Sequence, residues 1–367
     1  VAYAFRLDDP RMAYIRLSRR DIAGEGLALC VRIGEHLRPL PRAALRNDTI
    51  SVADDLLDIE RALQLSNTAQ AHVVVLRTGE AKPLHEEPLF FHHSFFAPIV
   101  DYARTFPHSQ AAPKPGLLAV FTHVCDDAAM LRLWERHYAR LAGQANLFVI
   151  DHGSPVSPRQ LLHPETNLVR LPRGETDHAD MARFCGWFQR FLLSQYRAVL
   201  HTDVDELVVH QDGNAALLAR LEAGGALGVL TPEHAVDVVQ NLGREAPLRL
   251  EEPIGAQRRL MLPDGFYRKP VLADEPVSWG QGFHQAFEES RIRTEPGLWL
   301  LHLHSVDFDL LLRKNRKWKA LPQSRADSGI CPHGDRPDTP EALQAWYARS
   351  LADPRLTAIP PELRRLF

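Results

Sequence analysis

Ala198-Val-Leu-His-Thr-Asp-Val-Asp-Glu206 is the stretch on which the reading of the fold turns. The apolar run Ala198 to Leu200 reads as a strand, and it leads directly into the acidic segment Asp203-Val-Asp-Glu206. Upstream, Asp177 can open a helix with Met181, Phe184, Phe188 and Phe191 on one face. Before that come two more short apolar runs, Leu168 to Leu171 and Leu147 to Ile150, the latter closed by the turn Asp151-His-Gly-Ser154. Further upstream, Asp126 can cap a helix whose apolar face is Leu131, Trp134, Tyr138 and Leu141. Leu117 to Phe121 is a continuous apolar run, suited to a strand buried on both faces. Strands alternating with amphipathic helices imply a mostly parallel sheet flanked by helices, an α/β Rossmann-like architecture. Ligands of such sheets bind beyond the carboxyl ends of the strands, which is where both acidic turns fall.

The pattern differs before residue 113. Phe106-Pro-His-Ser-Gln-Ala-Ala-Pro-Lys-Pro-Gly116 is a stiff connector. Ahead of it, Met12 to Leu17, Leu27 to Ile33 and His72 to Leu76 read as strands of a small β-rich unit. The expected division is therefore 1–112, of unknown role, and 113–367. Apolar residues make up 45% of the chain, enough for a sizeable core, and the net charge of -3 lacks the basic footprint of a nucleic-acid binder. No apolar run approaches the roughly 18 residues of a membrane helix. Arg6, Asp8 and Asp9 leave no signal peptide visible. The expected location is cytoplasmic, with peripheral attachment at the inner membrane as a variant of it. Cys30, Cys125, Cys185 and Cys331 form no C-x-x-C pair, which argues for reduced thiols and against a cysteine-built zinc site.

Two segments carry chemistry. In extended chain, Asp203 and Asp205 would point to one side and Val204 to the other. Two carboxylates facing one space call for a cation between them, and Mn2+ or Mg2+ is the natural choice. Trp299-Leu-Leu-His-Leu-His304 reads as a strand with His302 and His304 on one face, and neutral imidazole is a good Mn2+ ligand.

From Leu117 to about Lys319 the chain resembles the family-2-like glycosyltransferases of the GT-A fold, closest to the branch with the family-92-type enzymes. Four segments carry the resemblance: Phe121-Thr-His-Val-Cys-Asp-Asp127, Phe148-Val-Ile-Asp-His-Gly-Ser154, His201-Thr-Asp-Val-Asp-Glu-Leu207 and Leu301-His-Leu-His-Ser-Val-Asp-Phe-Asp309. The resemblance implies a sugar transferred from a nucleotide-diphosphate sugar, a UDP-sugar first among them, to a glycan or glycolipid acceptor in polysaccharide biosynthesis. By position, Thr122 and Asp151 would contact the donor nucleotide. Asp203 and Asp205 would hold metal and diphosphate, and His302 or His304 would be the late metal ligand, His304 preferred as nearer the strand end. Glu206 would shape the loop or touch the donor sugar, and Lys269 would pair with a phosphate.

The sequence departs from the family in two places. His152 stands where Asn or Asp is usual, and no catalytic base is evident between the acidic segment and the late histidines. His284, Asp274 and Glu206 are the candidates there. A metal-dependent hydrolase using the same Asp and His residues, or a non-catalytic carbohydrate-binding protein, are the rival readings.

Overall fold

The structure, a computed structural model, describes residues 2–6, 12–17, 22, 26–40, 44–46, 49–53, 71–91, 116–171, 177–265, 268–286, 292–321 and 335–367. Of the connector, only Gly116 is among them. The N-terminal strands are β1 (Ala2–Arg6), β2 (Met12–Arg16), β3 (Leu27–Ile33), β4 (His36–Pro39), β5 (Ala44–Arg46), β6 (Thr49–Ala53), β7 (Ala71–Arg77) and β8 (His85–Phe91). They form one sheet in the order β4-β3-β7-β8-β1-β2-β6-β5, antiparallel everywhere except β1 on β8. The three runs read as strands fall on β2, β3 and β7.

The second sheet contains β9 (Gly116–Val124), β10 (Leu147–Asp151), β11 (Asn167–Arg170), β12 (Tyr196–His201), β13 (Glu206–His210), β14 (Val229–Val239), β15 (Leu260–Pro263), β16 (Leu272–Ala273), β17 (Ile292–His302) and β18 (Thr357–Ala358). Its helices are α1 (Ala128–Ala142), α2 (His178–Leu192), α3 (Asn214–Glu222), α4 (Ile254–Gln257), α5 (Phe308–Ala320), α6 (Pro340–Leu351) and α7 (Pro361–Arg364). Strands β11-β10-β9-β12 lie side by side and all parallel, with α1 and α2 as crossovers. Beyond β12 the sheet turns mixed: β16 is antiparallel to β12 and β14, β17 runs parallel to β14, and β13 runs antiparallel to β17. This is the mostly parallel, helix-flanked sheet expected from the alternating pattern, with a separate, largely antiparallel sheet ahead of it.

Both faces of β9 are apolar because helices cover both. Leu118 and Val120 pack with Trp134 and Tyr138 of α1, whereas Ala119 and Phe121 pack with Phe184 and Cys185 of α2. Helix α1 is capped by Asp127, whose carboxylate accepts from Met130 N at 3.3 Å. The expected cap, Asp126, instead adopts a positive φ of 49° and gives its N–H to Ser154 Oγ at 2.7 Å. Helix α2 begins at Asp177 as expected. Of its expected face, Phe184 is buried and Met181 and Phe188 pack on the core, whereas Phe191 is exposed; Ala182, Cys185, Gln189 and Leu192 are also buried. The apolar cluster on the α2 side also contains Ile15, Val31, Val73 and Leu89 of the N-terminal sheet. The two sheets share no strand pairing among the described residues, yet one apolar cluster runs through both.

Candidate functional site

Register brings the carboxyl ends of β9, β10 and β12 to one edge, since Asp151 pairs with Val124 and His201 with Phe121. The acidic segment leaves that edge as a tight turn, closed by Glu206 N donating to Asp203 O at 3.1 Å. The extended conformation expected for Asp203 and Asp205 is therefore not the one adopted. Two carboxylates two residues apart, Asp205 buried and Asp203 partly so, repel, and the turn lets each meet its own cation.

Asp203 meets Lys269. The ammonium lies 2.6 Å from Asp203 Oδ2 and 2.8 Å from Glu206 Oε1, while Glu206 Oε2 accepts from Asp203 N at 2.9 Å. Burial opposes ionisation of Asp203, but Lys269 outweighs it and holds the carboxyl well below its usual range. Burial also opposes charge on Lys269, and Asp203 with Glu206 reverses that and raises it. Burial leaves Glu206 raised, with Lys269 offsetting only part. The resemblance assigned Lys269 to a phosphate and offered Glu206 as a loop-shaping or catalytic group. In the structure Lys269 is buried between two carboxylates, and Glu206 braces the turn. His123 Nε2 lies 3.6 Å from Asp203 Oδ1.

Asp205 faces the other way, toward the end of β17. Its Oδ2 accepts a short contact from Lys314 Nζ of α5 and lies 3.4 Å from His302 Nε2. Leu303 N donates to Asp205 O at 2.7 Å, tying the turn to the strand end. Glu206, His302 and Asp237 form one cross-strand row over β13, β17 and β14. That row sets Asp237 Oδ1 3.7 Å from His302 Nδ1, with Ser305 donating both N–H and hydroxyl to Asp237. Ligand atoms of Asp205, His302 and His304 all lie within 4.8 Å of one another, and the two rings stack at 5.5 Å. Burial opposes ionisation of Asp205, yet Lys314 and then His302 keep it well below the ordinary carboxylate value. Burial pushes Asp237 up to about 6. Burial would lower His302, but Asp205 raises it; burial, followed by Lys314, holds His304 well below.

The remaining sequence candidates do not join these groups. Asp151 is fully buried, with Arg170 Nε 2.9 Å from its Oδ2 and Ser154 N donating to its Oδ1 at 3.0 Å. Its carboxylate is thus engaged in the wall, which differs from the donor-contacting turn position expected for it. Thr122 is fully buried on the strand face opposite Phe121 and His123, because side chains alternate along β9. Asp274 accepts from Leu227 N at 2.8 Å and Gly228 N at 2.9 Å, so both oxygens hold a backbone turn. His284 is partly buried and follows Phe283, whose ring packs 5.0 Å from His123 and 4.5 Å from His201.

Sequence reasoning passed over Lys314, Lys317, Asp127 and Asp237. A cavity of about 460 Å³ is lined by Arg132, Arg313, Lys314 and Lys317 with Asp126 and Asp127 at the start of α1, and Lys314 links its wall to Asp205. Burial, against Lys317 and Lys314, raises Asp127. The i, i+3 pair Lys314 and Lys317 on α5 was the one legible signal for this cationic wall.

No family model matches the chain, and no curated protein matches it. Among solved structures it is similar to S. aureus TarS 1-349, at 11% identity and a TM-score of 0.28, covering 60% of this chain and 71% of that one. It is also similar to mannose-1-phosphate geranyltransferase from Thermus thermophilus, at 14% identity and a TM-score of 0.24, covering 60% and 72%. The functional reading rests on the geometry above. No helix among the described residues is long and apolar enough to cross a membrane.

Proposed function

We propose that the chain is a metal-dependent glycosyltransferase that takes a sugar from a nucleotide-diphosphate sugar and passes it to a glycan or glycolipid hydroxyl. The observation that carries this reading is the convergence of Asp205, His302 and His304, with Lys314 linking Asp205 to a cavity walled by four cationic side chains. Two imidazoles and a carboxylate suit Mn2+ better than Mg2+, which prefers oxygen ligands throughout. The donor set fits such an ion on a second count, because Asp237 stands behind His302 Nδ1, where a carboxylate orients a ligating ring. When bound, the ion would neutralise charge on the departing diphosphate.

The chain's own residues account for the rest. Arg132, Arg313 and Lys317 attract and seat the phosphates, and Lys314 bridges that wall to Asp205. Lys269 and Glu206 keep the Asp203 turn in one conformation. Of the candidate bases, Asp274 is committed to backbone amides and Glu206 to Lys269.

A thermal-shift screen of nucleotide sugars with and without Mn2+ tests the reading, because a ligand that binds only the folded state raises the melting temperature. A Mn2+-dependent rise with one donor class is expected. Asp205→Asn should abolish it and reduce transfer by about a hundredfold or more, the equivalent of roughly 3 kcal/mol of lost charge stabilisation. Phosphoester hydrolysis without donor binding would assign the site to a hydrolase instead.

A further inference from the structure

A second group of potential ligands lies on the α2 side of the sheet. We propose that His123, Cys185 and His201 hold a zinc ion, with water in the fourth position, in a site distinct from Asp205, His302 and His304. Ligand atoms of His123, Cys185 and His201 all lie within 4.8 Å of one another. They come from three elements, β9, α2 and β12, that only the tertiary fold brings together.

His201 is the side chain that demands an explanation. Its ring is enclosed by Phe121, Phe283 and Trp279 at centroid distances of 4.5, 4.5 and 4.9 Å. Both of its ring nitrogens are buried and neither has a hydrogen-bond partner. An orphaned buried polar group costs about 1–3 kcal/mol, and a phenylalanine or leucine would fill this aromatic box without that cost. Cys185 is fully buried at the same place. Asp203 has one oxygen engaged by Lys269, while its other, Oδ1, is buried without a hydrogen-bond partner and lies 3.6 Å from His123 Nε2. Two imidazoles and a thiol thus face one small volume, with the Asp203 carboxylate at its edge beside His123.

The donor chemistry selects the ion. Thiolate favours zinc over Mg2+ or Mn2+, and zinc takes four nitrogen, sulfur and oxygen ligands. Binding replaces the Cys185 S–H bond by an S–Zn bond and releases that proton to solvent. The Cys185 thiolate offsets one of the two charges of Zn2+, and the Asp203 carboxylate, shared with Lys269, lies beside the set. The ion would pin β9, α2 and β12 to one another directly beneath the Asp203 turn. This assignment does not depend on the glycosyltransferase reading.

The test is metal analysis of the full chain, purified without a metal-affinity step from zinc-supplemented medium. One equivalent of zinc is expected. Cys185→Ser and His201→Phe should each lose nearly all of it, whereas the double change His302→Ala/His304→Ala should retain it. Replacement of zinc by Co2+ in the unaltered protein should give the near-ultraviolet thiolate-to-cobalt charge-transfer band of a four-coordinate site. That readout stands even if the variants fail to fold. Absence of both zinc and the charge-transfer band overturns the proposal. Zinc that persists in Cys185→Ser but disappears with His302 and His304 overturns it equally, by assigning the metal to the other group.

Discussion

Asp151→Ala is the substitution in which structure and turn chemistry make opposite forecasts. A residue in a surface turn should tolerate alanine with no effect on stability. Asp151 instead ends β10 with no solvent exposure, and the Arg170 side chain paired with it is likewise fully buried. Removing one member of a buried pair leaves an uncompensated charge and costs about 3–5 kcal/mol. The Ser154 amide would lose its acceptor as well. For a domain of roughly 150–250 residues, each kcal/mol moves the melting temperature by about 2–4 °C, so a fall of roughly 6–20 °C is expected. Thermal unfolding followed by far-ultraviolet circular dichroism measures it. The double change Asp151→Leu/Arg170→Met removes both charges and should recover most of the loss. A fall under about 2 °C for Asp151→Ala, or no recovery in the double variant, would refute the argument that this pair is a structural tie.

Three further outcomes follow from the geometry. The Asp203–Lys269 pair stabilises the fold fully above the ordinary aspartate pKa of about 3.9 and loses that contribution as pH falls through the depressed Asp203 value. On the alkaline side it fades only as pH rises through the raised Lys269 value. Lys269→Met should reverse the acid limb, because Glu206 then becomes a buried acid without its cation, which the fold prefers protonated; an unchanged stability–pH profile would show the pair to be inert. Gly255→Ala drives a Cβ into the carbonyl oxygen of Arg364 where α4 meets α7, and should cost about 1–3 kcal/mol in chemical denaturation. Expression of 113–367 alone tests the division at the connector: the apolar cluster shared with Ile15, Val31 and Val73 predicts a lower melting temperature and apolar-dye binding, whereas unchanged stability would mark two independent units.

The α/β alternation was legible because it rests on periodicity: Leu117 to Phe121, Leu147 to Ile150 and Ala198 to Leu200 all lie within parallel strands. The late strand was legible too, although it ends at His302 and leaves His304 in the turn beyond, where a strand through His304 was expected. What escaped was everything that depends on partners distant in sequence. Nothing near Asp205 announces Lys314, 109 residues away, and nothing near Asp203 announces that Lys269 will neutralise it. Without those cations, two acids at i and i+2 read as a pair sharing one ion. Cys185 and His123 carry no C-x-x-C or H-x-H spacing, so their approach to His201 has no sequence signature. The cap of α1 was misplaced by one residue because Asp126 and Asp127 are equally good cap formers, and only the Ser154 hydroxyl distinguishes them.

The turn from Asp203 to Glu206 separates two ligand sets by a single intervening residue. A four-residue turn with its own backbone bond and a buried ammonium at its base has little slack. Any displacement of Asp205 must therefore be felt at Asp203, and through it at His123 and Lys269. Were ions held at both clusters, each would alter the affinity for the other by the same factor, and the acidic segment would be the short, stiff lever between them.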